Sequence, residues 1–119
     1  YKPYHLIGLE LGISVATIAV RKEATGATGD WRGDVVATAK RTLKAGEKLD
    51  GEGGFTVYGK LMTATDSLKL RALPIGLAHN MVLKREIPAG KPVCWDDVDY
   101  DATKQAIQFR QEMERVFRQ

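Results

Sequence analysis

The sequence predicts an α+β fold, mainly β: a core of short strands built from two similar turns, with one helix before it and one after. Three observations carry this. A ten-residue phrase occurs twice, an apolar run opens the chain, and an apolar stripe at helical spacing closes it. The first copy of the phrase is Lys40-Arg41-Thr42-Leu43-Lys44-Ala45-Gly46-Glu47-Lys48-Leu49. The second is Lys84-Arg85-Glu86-Ile87-Pro88-Ala89-Gly90-Lys91-Pro92-Val93, 44 residues later with no gap. Both share the basic pair, an aliphatic at 43 and 87, Ala-Gly, and an aliphatic at 49 and 93. Each reads as a strand, a tight turn at glycine and a second strand, because glycine takes φ > 0 at little cost. Two such units at a fixed offset predict two equivalent elements.

The helix before the core is expected over residues 1–20. Pro3 suits a first helical position, and Leu6, Leu9, Ile13, Ala16 and Val20 fall at helical spacing. Ile7, Leu11 and Ile18 cover a second face, so the helix calls for burial on most sides. Gly8, Gly12 and Ala16 form a small-residue stripe that admits a close neighbour. The uncharged run from Leu11 to Val20 is ten residues, against the ~20 a membrane span requires. A signal peptide is excluded by the lack of a basic start and a cleavage site. The chain opens on Tyr1, which leads to the expectation that it is a piece of a longer polypeptide.

Residues 21–33 are polar and turn-rich and are expected to be a linker, with Trp31 as its apolar anchor. The core is expected over 34–101. Val35–Ala39 and Phe55–Tyr58 are strand candidates, separated by a flexible Gly51-Glu52-Gly53-Gly54 loop. Residues 63–73 read as a short helix capped by Thr63 or Thr65, with Leu68 and Ala72 on one side. Met81–Leu83 leads into the second phrase. The closing segment, 102–119, is expected to be a helix capped by Asp101. Its stripe is Ala106, Phe109, Met113 and Val116, widened by Ile107 and Phe117. Glu114 can pair with Arg110 and Arg118 at i,i+4, each pair worth a few tenths of a kcal/mol.

Composition narrows the function. The chain has 119 residues, enough for one domain with a core, and 44% are hydrophobic, which argues against global disorder. The net charge of +3 is spread along the chain, which argues against nucleic-acid and membrane partners. The single cysteine, Cys94, excludes an internal disulfide and favours the reducing cytoplasm.

Several motifs fail on inspection. Gly54-x4-Gly59-Lys60 nearly matches a phosphate-binding loop, but Leu61 stands where Ser or Thr must reach the metal, and the intervening residues read as a strand. Asp97-x-Asp99-x-Asp101 opens like a calcium loop, but Ala102 and Gln108 replace the required Gly and Glu. Neither His5 nor His79 has a metal-ligand partner in sequence, so no metal site is expected. No nucleophilic triad, paired-carboxylate site or dinucleotide fingerprint is present, and no catalytic residue is assigned. The candidate ligand-binding residues are Lys40, Arg41, Lys84, Arg85 and His79. The two basic pairs repeat, so a twofold would let four cations receive a carboxylate or phosphate. They serve equally as solvated charges that block edge-to-edge pairing. His79 lies in a loop before a strand, where it contacts a ligand or serves as a turn residue.

The second phrase, Leu83-Lys84-Arg85-Glu86-Ile87-Pro88-Ala89-Gly90, resembles the turn of the SAF (antifreeze-like, β-clip) domain. That resemblance implies a β-clip core. The SAF family occurs in sialic acid synthases, sugar-acid dehydratases and flagellar or pilus assembly proteins. The flanks resemble a narrower group. Lys2-Pro3-Tyr4-His5-Leu6-Ile7-Gly8-Leu9-Glu10 is similar to a segment near the end of the catalytic region in homoserine-dehydrogenase-like oxidoreductases. Asp34–Ala37, Leu49–Gly54 and Leu73–His79 are similar to the SAF-like domain that follows it there. Some of that group are similar to a second type of deoxyxylulose-phosphate reductoisomerase. The resemblance implies a non-catalytic accessory domain of an NAD(P)-dependent enzyme, aiding oligomer assembly or completing the active site. It implies NAD(P) for the parent and no cofactor for this segment. The implied partners are an upstream catalytic domain of the same chain and further copies of the chain. The alternative is a small-acid or sugar-binding module, as in the dehydratases.

Overall fold

The computed structural model describes residues 3–4, 6–27 and 29–118. The chain divides into two compact units, Tyr1–Asp30 and Trp31–Gln119, with the division falling in sequence inside the polar 21–33 stretch. His5 lies outside the described residues.

The first unit is helix α1, Ile7–Ala16, continued by a π-helical turn over Thr17–Arg21. It begins four residues after Pro3 rather than at it, because Leu6 is extended (φ −116°, ψ 93°) and breaks the helix there. The hydroxyl of Thr17 donates to the Ile13 carbonyl at 2.8 Å. That bond competes with the regular ladder at the point where the helix widens. Lys22, left-handed at φ 60°, ends it. Taken by itself, α1 buries no residue. None of the described helices is long and apolar enough to cross a membrane.

In the second unit, β1 (Gly33–Ala39) pairs antiparallel with β2 (Val57–Thr63), from Gly33 opposite Thr63 to Ala39 opposite Val57. Phe55 and Thr56 were expected in this strand and are not in it. The Asp50 carboxylate accepts their N–H groups, at 2.5 Å from Phe55 and 3.0 Å from Thr56, and so diverts both from the ladder. The 51–54 loop is thereby tied at its base. Gly59 and Lys60 sit inside β2, so the phosphate-loop pattern there is a strand.

Helix α2, Ala64–Leu70, is capped by Thr63, whose side chain accepts the Asp66 N–H at 3.1 Å. It stops at Arg71, earlier than expected, because Arg71 is left-handed (φ 53°). Within it Ala64 and Ser67 are buried and Leu68 is half-buried, while Ala72, also buried, lies past the helix end. A short β3 (Val82–Leu83) pairs antiparallel with β4 (Val98–Asp99).

The two phrases are related by a local twofold. Leu43 and Ile87 donate N–H to each other's carbonyl at 2.9 Å. Gly46 donates to Leu83 at 2.7 Å, and its equivalent Gly90 donates to Ala39 at 2.8 Å. Ala39 donates to Lys91 at 3.0 Å, and Leu83 to Glu47 at 2.9 Å. Leu49 donates to Met81 and Val93 to Ala37, both at 2.8 Å. Every member of each pair is 44 residues from its counterpart. Gly46 and Gly90 have φ of 83° and 75°, the left-handed region that the turn demands. Leu43, Leu49, Leu83, Ile87 and Val93 form the centre of the core.

Helix α3 is Gln105–Val116. Asp101 does not cap it. The Asp101 carboxylate instead accepts the Thr103 N–H (2.9 Å) and hydroxyl (2.6 Å), a local turn that leaves Lys104 as the capping position. The apolar stripe of α3 is only partly covered by this unit, with Met113 half-buried. Ile107 and Glu114 are buried, while Phe109 and Val116 are 62% and 57% exposed. Arg110 explains this orientation. It donates to Asp34 (3.1 and 2.5 Å) and to Glu114 (2.7 Å), and its guanidinium lies 4.6 Å from the centre of the Trp31 ring. Ser67 donates to Asp34 at 2.5 Å, and the Trp95 indole N–H to Glu114 at 3.0 Å. The expected surface pair is thus a buried network that fastens α3 to β1, α2 and the Trp95 turn. Burial raises the Asp34 pKa, but the bonds from Arg110 and Ser67 outweigh it and hold the carboxyl below its ordinary value.

Candidate functional site

The repeated basic pairs were the first candidates. Lys40 follows β1, and its Nζ donates to the Gly54 carbonyl at 2.5 Å, closing the 51–54 loop. Arg41 grips Glu47 through both carboxylate oxygens, at 2.5 and 3.2 Å. The same carboxylate accepts the Lys44 N–H at 2.6 Å. These bonds hold Glu47 below its ordinary pKa. In the second copy Lys91 stands where Glu47 stands in the first, so Arg85 has no carboxylate at its own turn. It reaches Asp97 instead, with Nε at 2.5 Å. Asp97 is buried and also accepts the Cys94 N–H at 2.8 Å. Lys84 lies 3.7 Å from Asp99. The twofold therefore relates the backbones of the two pairs but not their partners.

His79 lies apart from these pairs. Its Nδ1 is 3.0 Å from the Asp50 carbonyl, which can only accept, so the bond requires the proton on Nδ1. Its Cβ packs on Gly51, where an added Cβ would approach to 3.1 Å. His79 lines a groove of about 500 Å³ with Leu77, Met81, Tyr100, Lys104 and Ile107, and with Asp99 and Asp101 on its wall. Lys40, Arg41, Lys84 and Arg85 do not line it. Sequence reasoning singled out His79 but missed Tyr100 and Lys104. Tyr100 directly follows β4 and Lys104 directly precedes α3, with no signal near His79 in the chain. The Tyr100 hydroxyl is fixed by Gln111, which donates to it at 3.1 Å, and Tyr100 meets Trp95 edge-on at 4.9 Å.

The profile of the SAF domain matches residues 34–99, more than half of the chain and all of the duplicated core. This chain belongs to the SAF domain family. The match ends at β4, so α3 lies outside the part that the family profile describes. No curated protein matches the chain.

Within the SAF unit, Cys94 is half-buried. Burial and the nearby Asp97 carboxylate raise its thiol pKa, which opposes thiolate chemistry. Among the described residues no group of three or more His, Cys, Asp or Glu side chains stands where it could hold a metal ion. The groups of the SAF core with enough convergence to do chemistry, Arg41–Glu47 and Arg85–Asp97, are closed ion pairs. Among the described residues, the groove beside His79 is open to a ligand, and the apolar residues of α1 and of the outward side of α3 are exposed.

Proposed function

We propose that this SAF chain is a non-catalytic accessory region of a cytoplasmic NAD(P)-dependent oxidoreductase, homoserine-dehydrogenase-like or deoxyxylulose-phosphate-reductoisomerase-like. There it aids oligomer assembly or completes the active site of an upstream catalytic domain. The observation that carries the reading is α1. Ile7 and Leu9 in the helix and Val20 in its π-helical continuation are each at least 75% exposed, and within its own unit the helix buries no residue. A helix apolar on all sides is stable in water only when a neighbour covers it. The outward face of α3, with Phe109 and Val116, adds a second uncovered surface. The oxidoreductase assignment rests on the resemblance of residues 2–10 and 34–79 to that group. NAD(P) belongs to the parent in this reading, and this region contributes no cofactor ligand.

Sedimentation velocity on residues 1–119 and 31–119 tests the carrying observation. The longer chain is expected to self-associate, and residues 31–119 to sediment as a monomer. A monomeric, stable 1–119 would contradict the need for a covering partner.

The groove beside His79 favours a second reading, a small-acid or sugar-binding module. Tyr100 and Ile107 offer an apolar floor there, while His79, Asp99 and Lys104 offer hydrogen bonds. Titration with galactonate and galactose distinguishes the two: chemical shifts confined to these residues would support binding, and none would remove this reading.

A further inference from the structure

We propose that the groove between the end of α2 and the last turns of α3 binds a phosphate monoester, with Arg71, Arg115 and Arg118 as its clamp. The groove holds about 490 Å³ and is floored by Trp95 and Tyr100. Three guanidinium groups line it against one carboxylate, Glu114. Glu114 is already engaged by Arg110 at 2.7 Å and by the Trp95 indole at 3.0 Å. A second groove, holding Lys69 and Phe117, adjoins it and shares Arg71 and Arg118.

Charge selects the ligand. The clamp groove is lined by three cations and one carboxylate, and that carboxylate is already held by Arg110; Asp96, at 3.3 Å from Arg71, stands at its edge. A phosphate monoester carries about −1.5 to −2 at neutral pH and presents three acceptor oxygens, whereas a single carboxylate leaves one guanidinium unmatched. With Lys69, the two grooves hold four cations against Glu114. Asp96, 3.3 Å from Arg71, is a second carboxylate at their edge, which leaves a net excess of two on this surface.

The cations of this surface are less committed than the repeated basic pairs. Arg115 and Lys69 have no ion pair among the described residues. Arg71 meets Asp96 at 3.3 Å, and that carboxylate is 67% exposed. Arg118 lies 3.6 Å from the far oxygen of Glu114. An exposed pair such as Arg71–Asp96 is worth about 0–1 kcal/mol, so an incoming dianion displaces it readily. Arg71 also occupies a left-handed helix end at φ 53°, a position where glycine is the ordinary occupant. The site owes nothing to the oxidoreductase reading and lies largely on α3, outside the SAF match.

The test is an amide and indole NMR titration of the 119-residue chain with glycerol 3-phosphate, inorganic phosphate and acetate at constant ionic strength. The expected result is a saturable shift of the Trp95 indole and the Arg71 and Arg118 amides with both phosphates but not with acetate. Arg115→Gln, which breaks no ion pair, should weaken binding at least tenfold. Lys104→Gln, in the other groove, should leave it unchanged. Linear shifts, an equal response to acetate, or equal loss in the two variants would overturn the proposal. Arg71→Gln gives a second check, with its circular dichroism spectrum reporting that the fold is intact.

Discussion

Leu43 and Ile87 each donate their backbone N–H to the other's carbonyl at 2.9 Å, and both side chains are buried. A reciprocal pair is what a twofold axis imposes on residues that lie beside it. Because Leu43 and Ile87 are equivalent positions of the two phrases, the axis falls between the copies. The same offset then dictates the Gly46–Leu83 and Gly90–Ala39 bonds. The symmetry ends where the side chains diverge, at Glu47 and Lys91, and this sends Arg41 and Arg85 to different carboxylates.

If the two turns are physically equivalent, their glycines carry equal conformational cost. No atom lies within 4 Å of a Cβ added at Gly46 or Gly90, so only the left-handed backbone opposes a side chain. Gly46→Ala and Gly90→Ala should each destabilise by about 1–2 kcal/mol. Urea unfolding checks this, and a difference of more than about 1 kcal/mol between the two, on the usual scatter of such effects, would argue against the equivalence.

Arg110 neutralises two buried carboxylates, Asp34 and Glu114. Removing it leaves Asp34 without its cation in the interior and Glu114 with Arg118 alone, at 3.6 Å. Arg110→Ala is expected to cost about 3–5 kcal/mol. Arg118→Ala, at a side chain 45% exposed, should cost under about 1 kcal/mol. Chemical denaturation followed by tryptophan fluorescence separates them. Near-equal costs would show that α3 is not fastened through Arg110.

The Thr38 hydroxyl is fully buried and has no hydrogen-bond partner among the described residues. Its twofold equivalent is Val82. Thr38→Val keeps the shape and removes the desolvated group, so stability should rise by about 1 kcal/mol. A lower melting temperature in calorimetry would count against this account of the position.

Acid stability should turn on Asp50. Burial raises its pKa, but the Thr56 hydroxyl and the N–H groups of Phe55 and Thr56 outweigh it and bring the group down to about 2, from an ordinary 3.8. A depressed carboxyl stabilises the fold above its unfolded value and loses that contribution as pH falls through the folded one. The loss from Asp50 therefore lies between about pH 4 and pH 2. Asp34, also depressed, adds to the acid limb. Urea midpoints from pH 5 to 2 should fall steeply in the native chain and less steeply in Asp50→Asn. An unchanged slope in the variant would refute the role of Asp50.

The duplicated core was legible because its signal is local: a glycine turn, an aliphatic pattern and a fixed offset. The cap of α2 was legible for the same reason, since Thr63 bonds three residues ahead. The setting of α3 was not. Its apolar stripe fits packing on its own domain or on a partner helix alike, and what sets it is that Arg110 finds Asp34 at a distance of 76 residues and Glu114 finds Trp95. No window along the chain holds that pairing. Likewise Asp101 reads as a cap until Thr103 supplies a nearer pair of donors. His79 was found by its loop, but the groove around it is finished by Tyr100 and Lys104 from other elements. The clamp of Arg71, Arg115 and Arg118 exists only once α3 is turned as it is.

The most direct test of the proposed function is NADPH oxidation by the full-length polypeptide that carries this chain, intact and ending before Asp34. Deoxyxylulose 5-phosphate and aspartate semialdehyde are the substrates to compare. The account predicts that the shortened protein stays folded but loses activity or its oligomeric state. A shortened protein that keeps both would contradict it.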